Sequence, residues 1–65
     1  MMSRTEKMMA AIRYCEEMAW INSKAHEYYK ETEGVDSREV CWFEKCAIEY
    51  RGLASRLKAW MKGGL

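Results

Sequence analysis

Proline is absent from the 65 residues and glycine occurs four times. The two residue types that most strongly interrupt helices are thus missing or rare, and long continuous helices are expected. No apolar run approaches the roughly 18 residues of a membrane span, so a membrane partner is not expected. The opening Met1-Met2-Ser3-Arg4-Thr5-Glu6-Lys7 carries charge where a secretory signal has its apolar stretch, so no such signal is read there. The three cysteines are an odd number, which argues against a closed disulfide framework and fits a reducing cytoplasm. What remains is 49% hydrophobic and 32% charged, too apolar for a disordered tail and long enough for one small unit.

The apolar residues recur at helical spacing. Ser3 and Glu6 stand as a capping box, and Met8, Ile12, Cys15, Ala19, Asn22, His26 and Tyr29 follow on one face. A second stripe runs through Tyr14, Met18, Ile21, Ala25 and Tyr28. Gly34 is placed to close this helix in a left-handed conformation, and Asp36 with Glu39 repeats the capping box. Val40, Phe43, Ala47, Tyr50, Ala54, Leu57 and Met61 form the next stripe, widened by Cys46, Leu53 and Trp60 and ended at Gly63-Gly64. The expected fold is all-α: one hairpin over residues 1–65, with helices over about 3–33 and 37–62, roughly 45 and 39 Å long. The short connection makes them antiparallel. Each apolar surface is wider than one partner helix covers, so self-association into a four-helix or larger homo-oligomeric bundle is expected.

The net charge of +1 selects no partner, but the charges are unevenly placed. Residues 1–14 and 50–65, taken as the open end, hold seven cations against one carboxylate, and residues 15–49 hold four against nine. One reading is assembly, in which antiparallel hairpins set a basic end beside an acidic one. The other is a site for a phosphate-bearing ligand, focused by converging cations.

Two segments carry a resemblance. Tyr50-Arg51-Gly52-Leu53-Ala54-Ser55-Arg56-Leu57 lies on the second helix, and Thr5-Glu6-Lys7 with Glu16-Glu17-Met18-Ala19-Trp20-Ile21-Asn22 on the first. Together they resemble the helical hairpin of phage sponge proteins of the anti-CBASS and anti-Thoeris type. Those proteins have an aromatic-Arg-x-Leu-Ala helix, and a second helix running from an Arg-Glu-Lys to a Met-x-Trp-x-Asn. The helix order here is reversed. Joining Gly63-Gly64-Leu65 to Met1 would restore it, as in a circular permutation, and hairpin termini lie close enough for that. The resemblance implies a non-enzymatic function. Family members sequester cyclic di- or trinucleotides or cyclic ADP-ribose isomers, intact, between protomers of a homo-oligomer, commonly a hexamer, and so blunt bacterial anti-phage signalling in the host cytoplasm. No cofactor or metal is implied.

On that reading the ligand-binding residues are Arg51, Tyr50, Lys7, Arg4, Ser55, Arg56, Trp20 and Asn22. Arg51 offers a planar fork to a phosphate, Tyr50, Tyr14 or Trp60 stacks on a base, Ser55 donates to a phosphate oxygen, Trp20 is a further stacking platform if it is not core, and Arg4 and Lys7 sit at a helix start where N–H groups favour anions. Four of these have a structural alternative. Trp20 is core, Asn22 fixes helix register, Arg51 pairs with an acid of a neighbouring protomer, and Ser55 allows close packing. His26 reads as structural, and Cys15, Cys41 and Cys46 as small buried hydrophobes without zinc-ligand spacing. No paired carboxylates, metal-ligand set or activated nucleophile stands out, so an enzyme is not expected. Two other classes remain. A small module binding structured RNA predicts a basic stripe and strong salt dependence. A protein-interaction inhibitor predicts a large apolar patch left exposed after assembly.

Overall fold

A computed structural model describes residues 2–63. Helix α1 spans Arg4–Glu33 and helix α2 spans Arg38–Lys62. They lie side by side in a body 44 × 22 × 12 Å in Cα extent. Glu16 meets Lys58, Ser23 meets Arg51, and His26 approaches Glu44. As numbering rises on one helix it falls on the other, so the hairpin is antiparallel.

The caps explain where the helices begin. Ser3 Oγ accepts from the Glu6 N–H at 3.1 Å, and the Glu6 carboxylate accepts from the Ser3 N–H at 3.1 Å. The Ser3 N–H bonded to it, and more weakly the Ser3 hydroxyl, hold the Glu6 carboxyl below its ordinary value of 4.5. A depressed folded value means that this stabilisation is present above the unfolded value and lost as pH falls through the folded one. Melting temperature should therefore fall on acidification through the carboxylate range, and Glu6→Gln, which removes the titrating group itself, should flatten that fall. An unchanged profile in the variant, followed by circular dichroism, would remove the cap from the account.

The second cap differs from the expected one. Ser37, not Asp36, is the N-cap of α2, and its hydroxyl accepts from the Val40 N–H at 3.1 Å. Glu39 is then the second helical residue and cannot close a capping box. The turn sets this frame: Gly34 receives the Ser37 N–H at its carbonyl and spends Asp36 inside the turn. Gly34 has φ 94° and ψ 163°. The positive φ is as expected, but the ψ puts it outside the left-handed helical region, in one that glycine alone enters freely. Gly63 caps α2 through its N–H to the Ala59 carbonyl. Met1, Gly64 and Leu65, through which a permuted joint would pass, lie outside the described residues.

The seam between the helices is built from small side chains. Ile12, Cys15, Ala19 and Asn22 of α1 are buried against Val40, Ala47 and Ala54 of α2. Met8, His26 and Tyr29, and Phe43, Tyr50, Leu57 and Met61, are half-buried along the same line. Tyr29 stacks on Phe43 at 5.3 Å between ring centroids and closes the core at the loop end. Cys46 is half-buried and Cys41 is exposed, so the expectation of three buried thiols holds fully for Cys15 alone. Cys41 stands outside because the seam stripe passes through Val40 and Phe43.

Asn22 is 7% exposed and donates from Nδ2 to the Met18 carbonyl at 2.7 Å, one turn back on its own helix. That carbonyl belongs to a helical ladder in any case, so removing the amide orphans no buried acceptor. Asn22→Leu is expected to leave stability unchanged or to raise it by up to about 1 kcal/mol, read by urea titration. A loss of several kcal/mol would mean that the amide has a partner outside the hairpin.

Candidate functional site

The seam divides the hairpin into two broad faces. On α1, Glu16, Trp20, Ser23 and Glu27 lie to one side, and Tyr14, Met18, Ile21, Ala25 and Tyr28 to the other. Arg51, Ser55 and Lys58 of α2 join the first set. Tyr50 meets Tyr14 edge-on at 6.2 Å between centroids, which puts the line Tyr50, Leu53, Leu57 and Trp60 with the second set. One face is polar and grooved, and the other is apolar.

The polar face carries a groove of about 420 Å³ between the helices, within the size range of small-ligand sites. Arg51 donates from Nη2 to Ser23 Oγ at 3.1 Å. Among the described residues no carboxylate pairs with this guanidinium, which keeps most of its donors directed to solvent. The other lining cations are engaged: Lys58 with Glu16, and Lys24 with Glu27 at 3.7 Å. Lys24 Nζ also lies 5.6 Å from the centre of the Trp20 ring. Trp20 is 63% exposed and is not part of the seam, so its indole offers an open flat surface in the groove that Arg51 also lines. Toward the open end the groove continues into a wider one of about 650 Å³, lined by Met9, Ile12 and Met61 with Arg13 and Lys62 at its sides. Glu16, Ser55 and Lys58 are shared by both, so one trough runs along this face.

Three of the eight residues singled out by sequence thus come together: Trp20, Arg51 and Ser55. Asn22 is buried in the seam. Tyr50 lies on the apolar face, where the neighbouring Tyr14 phenol, followed by loss of hydration, holds its hydroxyl above the ordinary tyrosine range. Arg56 is exposed, and five residues beyond Arg51 it projects about 140° further round the helix. Arg4 and Lys7 belong to the first turn of α1. Lys7 is sixteen residues before Ser23, about 24 Å along the axis from the level of Arg51. The N–H groups there are partly spoken for, since Ser3 and Glu6 already close the cap and Glu6 adds a negative charge.

The register also revises the charge division. Levelled through the Ser23–Arg51 contact, residues 2–23 and 51–63 hold seven cations against three carboxylates, and residues 24–50 hold four against seven. The separation survives but is milder, because Glu16 and Glu17 belong to the basic half. Arg51 stands near the middle of the hairpin and not at its tip, as the sequence division had it.

Ser23, Lys24 and Lys58 were not singled out as site residues. Ser23 and Lys24 follow Trp20 by three and four residues and share its side of α1, a usable signal. Lys58 follows Ser55 by three on α2 in the same way. Among the described residues no three His, Cys, Asp or Glu side chains converge as a metal-ligand set. No described helix is long and apolar enough to cross a membrane. No protein-family model, curated protein or solved structure matches the chain.

Proposed function

We propose that this protein is a non-enzymatic sponge that binds a cyclic nucleotide second messenger, a cyclic di- or trinucleotide or a cyclic ADP-ribose isomer, and holds it intact in a self-assembled bundle. One observation carries the reading. An open indole on α1 and an arginine on α2 that no described carboxylate pairs line one groove, with Ser23 and Ser55. A phosphate needs the planar fork and hydroxyl donors, and a base needs the flat ring.

Holding a ligand requires only differential binding, so the groove has no use for a general base. A structured-RNA backbone is a poorer fit, because Glu16 and Glu27 interrupt the lining cations and would face successive phosphates. If the ligand is an immune messenger, the protein acts in the host cytoplasm of a phage infection by lowering the free messenger concentration.

The test is thermal shift across a panel of cyclic di- and trinucleotides and cyclic ADP-ribose isomers. A ligand that binds only the native state raises the melting temperature with concentration. A dose-dependent rise for one class of messenger, and none for linear mononucleotides, is expected. No shift with any member of the panel would overturn the reading.

A further inference from the structure

From the apolar face opposite the groove we infer that a second copy of this chain packs there, head to tail, to make an antiparallel four-helix bundle. This deepens the reading of the protein as a self-assembling sponge by naming the surface and its direction, and it rests on that reading for the assembly alone.

Tyr14, Met18 and Ile21 of α1 and Tyr50, Leu53 and Trp60 of α2 form one continuous side of the hairpin. Tyr14, Ile21 and Trp60 are each more than half exposed. No large side chain among the described residues is fully buried, so the single hairpin leaves its bulkiest apolar groups in water. The 44 × 22 Å outline gives this side an area of about 970 Å². A stable interface takes about 800 Å² of accessible surface from each partner, and a face with this footprint is large enough to supply it.

Charge chooses the direction. The open half is cationic and the loop half anionic, so a parallel pair would align like with like, and a twofold axis across mid-length aligns opposites. Lys7 lies two turns before Tyr14, and Glu39 three turns before Tyr50, so both rim the apolar face at opposite ends. Glu39 also crowds Glu33 at the loop. Loss of hydration, and then the hydrogen bond and like charge of Glu39, push the Glu33 carboxyl above its ordinary range. In the head-to-tail pair the partner subunit's Lys7 arrives at this acidic end. The Trp20–Arg51 groove lies on the outer faces and stays open to ligand.

A zero-length carbodiimide reagent, which joins an ammonium to a carboxylate in contact, tests this without any nucleotide. Within one chain Lys7 and Glu33 stand about 39 Å apart along α1, so no such link can form inside the hairpin. The expected result is an even-numbered multiple of the 7.7 kDa chain mass in native mass spectrometry, with Lys7 linked to Glu39 or Glu33 in the covalent dimer band. Leu53→Glu should abolish both. A folded monomer at micromolar concentration, an odd-numbered assembly, or links confined to Lys7 with Glu6 would overturn the inference. Should Leu53→Glu fail to fold, the wild-type links decide alone. Because no ligand is present, this failure is distinct from that of the sponge reading, which is read by nucleotide binding.

Discussion

Arg51→Ala should weaken messenger binding at least tenfold, and on the order of a hundredfold if two phosphate bonds are lost, with helicity and assembly mass unchanged. Charge-assisted hydrogen bonds contribute roughly 1.5–3 kcal/mol each, and 1.4 kcal/mol is tenfold in affinity. The truncation removes the groove's arginine that no described carboxylate neutralises and leaves Ser23 with solvent in its place. It should not disturb the fold, because the guanidinium is exposed and its bond to Ser23 lies on the surface. Arg51→Lys should recover part of the affinity, since it restores the charge but not the two-pronged fork. Isothermal titration of both variants against the tightest ligand in the panel makes the comparison. Equal affinity in the alanine variant would take Arg51 out of the site.

Ala47→Leu should cost about 1–3 kcal/mol, which in a chain of this size is a large part of its stability. Ala47 is 5% exposed and lies in the seam between the Arg51–Ser23 and Glu44–His26 contacts, at the level of Asn22 and His26 of α1. Leucine matches alanine closely in helix propensity, so any loss reports crowding between the helices and not a weaker helix. The shift amounts to roughly 4–8 °C in melting temperature per kcal/mol. Ile48→Leu, one residue on and 57% exposed, is the control and should move the transition by far less. Two variants that melt alike would show that the helices do not meet closely at Ala47.

The stripes that form the seam were legible because a helix buries the residues that recur at three and four. Every position from Met8 to Tyr29 and from Val40 to Met61 on those stripes is buried or half-buried. The start of α2 was less legible. Asp36 and Ser37 are both good N-caps, and the choice fell to the closure of the Gly34 turn, which neighbouring letters do not encode. The groove was legible only in part. Tyr50 and Arg51 are adjacent in sequence, yet one helical step of about 100° sends them to opposite faces. Ser23 and Arg51 are far apart in sequence, and only the register set by the four-residue turn brings them together. Lys7 and Arg4 invited grouping with Arg51 because all three are basic and near the termini, but α1 is long enough to separate them.

The proposed sponge retains its ligand unchanged in the groove. The most direct measurement loads the assembled protein with the panel's tightest cyclic nucleotide, removes free ligand by gel filtration, denatures the protein and analyses the released small molecules by chromatography and mass spectrometry. Recovery of the intact cyclic compound in a fixed ratio to protein is expected, with loss of that recovery in Arg51→Ala. A linearised or hydrolysed product, or the same recovery from the variant, would contradict the proposed retention.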